Sequence, residues 1–339
     1  MTLLTKRRLA VLVAGFALLL SASIVAGLAI GPSGLSPQRV IRALAGGGSP
    51  ADADIVLRVR LPRVVLAALV GASLSVAGVL FQALLRNPLA DPYVLGVSGG
   101  AALGAVAVMA FGASLGLGYA FVAPAAFLGA LAATILLFGV AGARGRLSST
   151  SLLLTGVVFN AFASAAIVFV ASLAGLAEGT SIFLWLIGNL SSARTDEALG
   201  VAVFLVAGLG CAVPLARGLD LLALGEEPAT QLGVDVPRMK RLLLLATALM
   251  VGAAVAVSGL VGFVGLIIPH LLRLVLGPGH RLLIPAGALG GAAFLVLCDT
   301  VARSLLDGRE LPVGAVTALV GGPLFLVLLR REQGGRGMR

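Results

Sequence analysis

Long apolar segments dominate this sequence, and only short polar stretches separate them. A helix of about 20 apolar residues spans the hydrocarbon core of a bilayer, where only helices and closed barrels satisfy the backbone polar groups. The chain is 59% hydrophobic and 11% charged, whereas soluble domains usually carry about a quarter charged residues. The sequence lacks the apolar–polar alternation of barrel strands. It therefore predicts an all-α, polytopic membrane protein.

About ten transmembrane helices are predicted, in one domain that covers residues 1–339. The apolar run after TKRR could imitate a signal peptide, but it is longer than a typical h-region and no polar mature domain follows it. We therefore interpret it as the first transmembrane helix. A shorter piece at 263–276 joins nine longer segments, which are 9–30, 62–83, 93–112, 119–140, 150–173, 196–215, 238–259, 281–304 and 313–330.

The basic residues indicate an orientation. If the N-terminus is cytoplasmic, ten crossings bring the C-terminus back to the same side, and 16 of the 24 Lys and Arg residues lie inside, as the positive-inside rule requires. Five of the others lie close together: Arg39, Arg42, Arg58, Arg60 and Arg63. Either the orientation is wrong or this outer patch has an acidic partner. The positive charge thus indicates membrane topology rather than nucleic acid binding.

The chain also contains an internal repeat. Small residues and prolines recur at a common offset, since Gly71, Gly78 and Pro88 match Gly252, Gly259 and Pro269. Helices 2–5 (about 62–173) are therefore predicted to repeat as helices 7–10 (about 238–330), with helix 6 at about 196–215 between them. The copies run in opposite senses, as in many transporters. The alternative is two halves that are alike in composition alone.

Two proline-containing stretches register with each other in this repeat: RNPLADP (86–92) and IIPHLLR (267–273). Proline removes a backbone donor, and membranes tolerate an interrupted helix only beside other protein or a watery cavity. We expect both stretches to be helix breaks that flank a pathway.

The longest polar stretch inside the chain is RGLDLLALGEEPATQLGVDVPRMKR, at 217–241. Its leucines recur at amphipathic spacing and are interrupted by Gly225, Pro228 and Gly233. Two short helices across a glycine-rich bend would present an apolar face with charged rims. An ordinary solvated loop would not need so many leucines, so the stretch at 217–237 is predicted to dock a partner.

Isolated reactive side chains give no sign of an enzyme. Cys211 and Cys298 lie in apolar runs without metal-ligand spacing, and His270 and His280 lack the further ligands that a metal needs. Asp299 is the one acid predicted within a span; it could relay protons, but a pair with Arg303 is the simpler role. An intramembrane enzyme would need HExxH or paired aspartates, which the sequence lacks.

Several motifs together resemble one family. RLPR (60–63), the block from Gly71 to Ala105 that contains RNPLADPYVLGVSGG, LGEEPATQLGVD and GLVGFVGLIIPHLLRL occur in the order found in the FecCD family. These proteins are permease subunits of type II ABC importers for ferric siderophores, haem and vitamin B12. The resemblance runs from about residue 55 to 331.

The resemblance implies a homodimer with two cytoplasmic ATPase subunits and a periplasmic binding protein, in the bacterial inner membrane with both termini cytoplasmic. The chain has no GxxxxGK[ST] and so cannot bind ATP by a P-loop. The resemblance therefore implies a transporter subunit rather than an enzyme, with ATP and Mg²⁺ on the partner ATPase. No cofactor is expected on this chain. The residues implied to couple to the ATPase are Leu222, Leu224, Gly225, Glu226, Glu227, Ala229 and Gly233.

The resemblance also implies two further sets of residues. Arg60, Arg63 and Arg303 match arginines that meet glutamates of the binding protein, a contact suited to the planar guanidinium. A cytoplasmic gate is implied at Asn87 and Leu89 on one side and at Ser149 and Thr150 of SSTS (148–151) on the other. Helix capping is the competing role for the gate residues.

The function implied is ATP-driven import of an iron chelate (a ferric siderophore or haem) by alternating access, with cobalamin as the alternative. A proton-driven secondary transporter is the rival within transport. It would need titratable groups along its pathway, and Asp299 is the one candidate.

Overall fold

The computed structural model describes residues 6–141, 149–191, 194–306 and 309–336, and these residues form α-helices joined by turns. The apolar segments fold as helices because each satisfies its own backbone hydrogen bonds. A π-helical segment, Asp54–Arg60, leads directly into the fourth helix. The helices are α1 Lys6–Ala29, α2 Pro37–Leu44, α3 Pro50–Ala53, α4 Leu61–Leu84, α5 Val97–Phe111, α6 Val122–Ala141, α7 Ser149–Leu173, α8 Leu176–Ile187, α9 Thr195–Leu222, α10 Glu226–Gln231, α11 Val236–Ser258, α12 Val264–Leu276, α13 His280–Ser304 and α14 Val313–Arg336.

The prediction of an all-α polytopic membrane fold is confirmed. Seven helical stretches in the described ranges are long and apolar enough to cross a membrane, and every predicted apolar segment contains a helix. One boundary differs from the expectation. The sixth span was placed at 196–215, but α9 continues to Leu222 because Pro214 does not end it and Leu219 and Leu222 are fully buried.

Helices α4 and α13 form the centre of the fold and run antiparallel. Gly71 of α4 and Gly291 of α13, each near the middle of its helix, are so close that a methyl group on either would overlap the carbonyl oxygen of the other. Small residues at such a contact let helix backbones approach closely, which is how membrane helices gain packing energy. These two helices therefore form a tightly packed antiparallel pair.

Helices α5 and α12 are short because each begins after an irregular segment inside the bundle. They have 15 and 13 residues, about 22 and 20 Å at 1.5 Å per residue, which is less than the hydrocarbon thickness of about 30 Å. Residues 85–96 precede α5, and residues 259–263 precede α12. Pro92 and Gly265 meet beside Leu74, about halfway along α4.

One of the two predicted helix breaks is wrong. RNPLADP does interrupt the helices, but IIPHLLR lies inside α12, and the second break is at 259–263. Pro269 is tolerated within α12 because the carbonyl of Gly265, which has lost its helical donor, packs against Gly78 of α4. The neighbouring carbonyl of Leu266 accepts a hydrogen bond from Gln82 Nε2 at 3.1 Å.

The order long, short, long, long recurs in α4–α7 and in α11–α14. This order agrees with the repeat that the sequence predicts, but the break at 259–263 changes its alignment: the equivalent of RNPLADPYVLG is GLVGF rather than IIPHLLR.

Candidate functional site

The predicted coupling segment forms a single short helix between two glycines. Gly225 and Gly233 have φ of +127° and +87°, which favour glycine because a side chain would be strained there. Between them α10 turns across the end of the bundle, and Ala229 is fully buried. The expectation of two short helices is wrong, because residues 217–222 continue α9.

The segment presents an apolar surface away from the bundle. Leu224 and Leu232 are 67% and 61% exposed, whereas Leu222 is fully buried. Glu227, which lies between these leucines in the sequence, is also exposed. Exposed leucines with a charged rim are the composition expected of a docking surface.

Two side-chain contacts attach α10 and the adjoining end of α9 to neighbouring helices. Glu226 Oε1 lies 2.7 Å from Nζ of Lys240 in α11. Asp220 Oδ1, near the end of α9, lies 2.7 Å from Nδ1 of His280 and accepts the backbone N–H of His280 at 2.8 Å. His280, for which the sequence indicates no partner, thus has a carboxylate partner.

A second polar cluster lies where α1 and α13 end and α4 begins. Arg63 Nε bonds Asp299 Oδ1 at 3.0 Å, and its Nη1 bonds Glu310 Oε2 at 2.7 Å. Arg303 Nε lies 3.1 Å from the second oxygen of Asp299. Two cations sharing one buried carboxylate, with further hydrogen bonds, is the arrangement that keeps charges tolerable at low dielectric.

The same cluster completes the C-terminal end of α1. Arg60 Nη1 bonds the carbonyls of Leu28 and Ala29 at 2.5 and 3.1 Å, and Arg303 Nη2 bonds that of Gly27 at 2.7 Å. These carbonyls have no helical donor and carry the negative end of the helix dipole, so guanidinium groups stabilise them.

The three predicted docking arginines are buried in these contacts. Arg60, Arg63 and Arg303 are 3%, 5% and 3% exposed, and groups of this chain occupy their guanidiniums. This burial could not be predicted from the sequence, because their partners lie up to 276 positions away along the chain. The docking role itself stays a prediction. In the same stretch, Arg39, Arg42 and Arg58 are the exposed arginines.

The coupling segment and the arginine cluster lie at opposite ends of the central pair. Helix α4 begins beside the cluster, and two residues after its end Arg86 lies next to Gly225. Helix α13 begins at His280 beside Asp220 and reaches the cluster in its last turns. Each helix is about 36 Å long, which is the thickness of a bilayer core and part of its headgroups.

The predicted gate residues show local roles. Asn87 Oδ1 accepts the backbone N–H of Leu89 at 2.9 Å, which closes a turn directly after α4. Asn87, Leu89 and Thr150 are exposed. Ser148 and the side chain of Ser149 lie outside the described residues. A turn-forming role for Asn87 is thus present in the structure, and the gate stays a prediction.

Tyr93 joins the two helix breaks and was not singled out from the sequence. Its hydroxyl donates to the carbonyl of Val261 at 2.9 Å and accepts the N–H of Val261 at 3.1 Å. Asp91 fixes the turn that carries it by accepting the Tyr93 N–H at 2.9 Å. The signal available in the sequence was a tyrosine in a break, where freed backbone groups need a donor and an acceptor.

A family model matches most of the chain. The model described as the FecCD transport family matches residues 18–331. Among relatives, the cobalamin import system permease protein BtuC of Halobacterium salinarum is 44% identical over 287 residues, covering 84% of this chain and 76% of the relative. The hemin transport system permease protein HmuU of Yersinia pestis is 42% identical over 281 residues, covering 82% of this chain and 84% of the relative.

A solved structure is similar over nearly the whole chain. It is described as an inward-facing conformation of a metal-chelate type ABC transporter, and it is 32% identical with a TM-score of 0.84. The match covers 94% of this chain and 98% of that one.

Proposed function

Because the chain belongs to the FecCD transport family, and is thereby a permease subunit of a type II ABC importer, we propose that it imports an iron chelate, either a ferric siderophore or haem. The observation that supports this cargo is the 42% identical relative named for hemin transport. The 44% identical relative named for cobalamin import favours cobalamin as the second candidate.

The chain is not the ATP-hydrolysing subunit of the importer. We propose that two copies pair around a central pathway and that each rests on a cytoplasmic ATPase through residues 222–233. The exposed leucines Leu224 and Leu232 support this, because an apolar surface on both sides of a short helix suits a cleft in another protein. ATP and Mg²⁺ are bound by that partner.

The opposite placement of the coupling segment and the arginine cluster supports alternating access. We infer that the coupling segment faces the cytoplasm, together with both termini, and that the end carrying the arginine cluster faces a periplasmic binding protein. Nucleotide-driven movement at one end then reaches the other end through α4 and α13, which extend from one to the other. The gate proposed at Asn87, Leu89, Ser149 and Thr150 closes the cytoplasmic exit.

Uptake into proteoliposomes tests the proposal. The permease would be reconstituted with its ATPase and binding protein, and uptake of haem, a ferric siderophore and cobalamin would be compared with and without ATP. We expect uptake of haem or the siderophore that requires ATP and is indifferent to a proton gradient. Uptake of cobalamin alone would replace the cargo assignment. Uptake driven by a proton gradient without ATP would refute the importer mechanism.

A further inference from the structure

The coupling segment would be loosely held if its backbone alone connected it to the bundle. Glycines with positive φ flank the six residues of α10 on both sides, and glycine restricts the backbone least. A short helix between two such points can pivot when pulled. Contacts made by the side chains of α10 and of the adjoining end of α9 therefore decide which helices follow it.

The first contact ties α10 to α11. The Lys240 side chain is 6% exposed, whereas the side chain of Glu226, its partner at 2.7 Å, is 48% exposed. A nearly buried ammonium that lost its carboxylate would be an uncompensated charge at low dielectric. Lys240 thus holds Glu226 more firmly than an exposed lysine would, because the pair is partly removed from water.

The second contact ties the end of α9 to the start of α13. One oxygen of Asp220 meets both the ring Nδ1 of His280, at 2.7 Å, and its backbone N–H, at 2.8 Å. The His280 side chain is 4% exposed, and the carboxylate faces the N-terminal end of α13, where the helix dipole favours negative charge. The Asp220 side chain therefore fixes the start of α13 against the end of α9.

The Glu226 contact connects α10 to α11 in the second half of the chain, and the Asp220 contact connects the adjoining end of α9 to α13. Helix α10 packs on α9 and α11, and the Asp220 contact extends this connection to α13. We propose that Asp220–His280 and Glu226–Lys240 are positioning pairs that transmit movement of the coupling segment into α11 and α13, so that these helices tilt as one unit with it. This inference rests on the proposed function, because it presumes that an ATPase moves the segment.

Distance measurements on the assembled importer test the proposal. Spin labels would be attached at Leu297 of α13 and Phe162 of α7, which are exposed, after Cys211→Ser and Cys298→Ala. Distances would be measured in nanodiscs with the ATPase bound, with and without ATP. In the otherwise unchanged chain, ATP is expected to shift the distance between the label at Leu297 and the label at Phe162.

Asp220→Asn and Lys240→Gln are each expected to reduce the population shifted by ATP about tenfold, because each weakens one charge-assisted contact. ATP hydrolysis by the bound ATPase should continue. Asp196→Asn is the matched control, since it also removes a carboxylate of α9 from an ion pair, but both partners there are more than 60% exposed. The charge swap Glu226→Lys with Lys240→Glu should restore the shift.

The outcomes distinguish failure of the positioning role from failure of the proposed function. A full ATP-dependent shift in Asp220→Asn and in Lys240→Gln would overturn the positioning role while leaving the proposed function intact. Leu224→Asp should release the ATPase from the complex. Retention of the ATPase by that variant, or no ATP-dependent shift in the unsubstituted complex, would overturn the proposed function and the inference with it.

Discussion

Tyr93→Phe isolates the connection between the two helix breaks. Phenylalanine keeps the ring and therefore creates no cavity, but it removes the hydroxyl that bonds both the N–H and the carbonyl of Val261. Val261 is 1% exposed and lies between α11 and α12, where no helix supplies its partners. Both of its backbone groups would then be buried without a hydrogen bond.

The expected cost follows from those two groups. A buried polar group without a partner costs about 1–3 kcal/mol, so Tyr93→Phe should lower the free energy of unfolding by about 2–6 kcal/mol if both stay dry. If residues 259–263 relax, the loss in the free energy of unfolding would be close to about 2 kcal/mol. The measurement is unfolding of the purified chain in mixed micelles by titration with SDS.

The second tyrosine of the chain provides the control. Tyr119 is 65% exposed, so Tyr119→Phe should change the unfolding free energy by no more than about 0.5 kcal/mol. Equal stability of the two variants would refute the reasoning, because it would mean that the Tyr93 hydroxyl does not hold the breaks together. A loss in Tyr119→Phe alone would refute it as well.

Three further predictions concern packing, charge and docking. Gly78→Ala should destabilise the chain by more than about 1 kcal/mol, because the added methyl would overlap the Gly265 carbonyl, whereas Gly15→Ala meets open space and should be neutral or stabilising in the same SDS titration. Asp299→Asn should cost about 3–5 kcal/mol, because it leaves two buried guanidiniums without their shared carboxylate; an unchanged unfolding midpoint would contradict this. Leu232→Asp should weaken co-purification of the ATPase while the free energy of unfolding changes by no more than about 0.5 kcal/mol, since Leu232 is 61% exposed; undiminished co-purification would exclude Leu232 from the docking surface.

The helices were predictable from the sequence because length and apolarity alone decide which segments cross a bilayer. The starts of the short helices α5 and α12 were harder to predict, since an apolar run does not reveal where within the membrane a helix begins. The error at IIPHLLR has the same origin. Proline usually marks a break, but Pro269 remains in α12 because Gly78 of another helix leaves room for the freed Gly265 carbonyl.

The site was predictable where chemistry is local. Glycines in LGEEPATQLGVD indicated the bends around α10, and the structure gives Gly225 and Gly233 positive φ. The partners of Arg63 and His280 were not predictable, because they are 236 and 60 residues away. Pairing over such separations depends on how helices are arranged, which no local pattern encodes.

The glycine contact near the middle of α4 and α13 has a mechanical consequence. Since Gly71 and Gly291 allow no gap there, it is the natural fulcrum when one helix rocks against the other, and the two ends of a rocking helix swing in opposite directions. For a rod about 36 Å long, a rotation of about 10° displaces each end by about 3 Å. A small displacement of the helix end beside the coupling segment therefore produces an equal and opposite displacement of the end beside the arginine cluster.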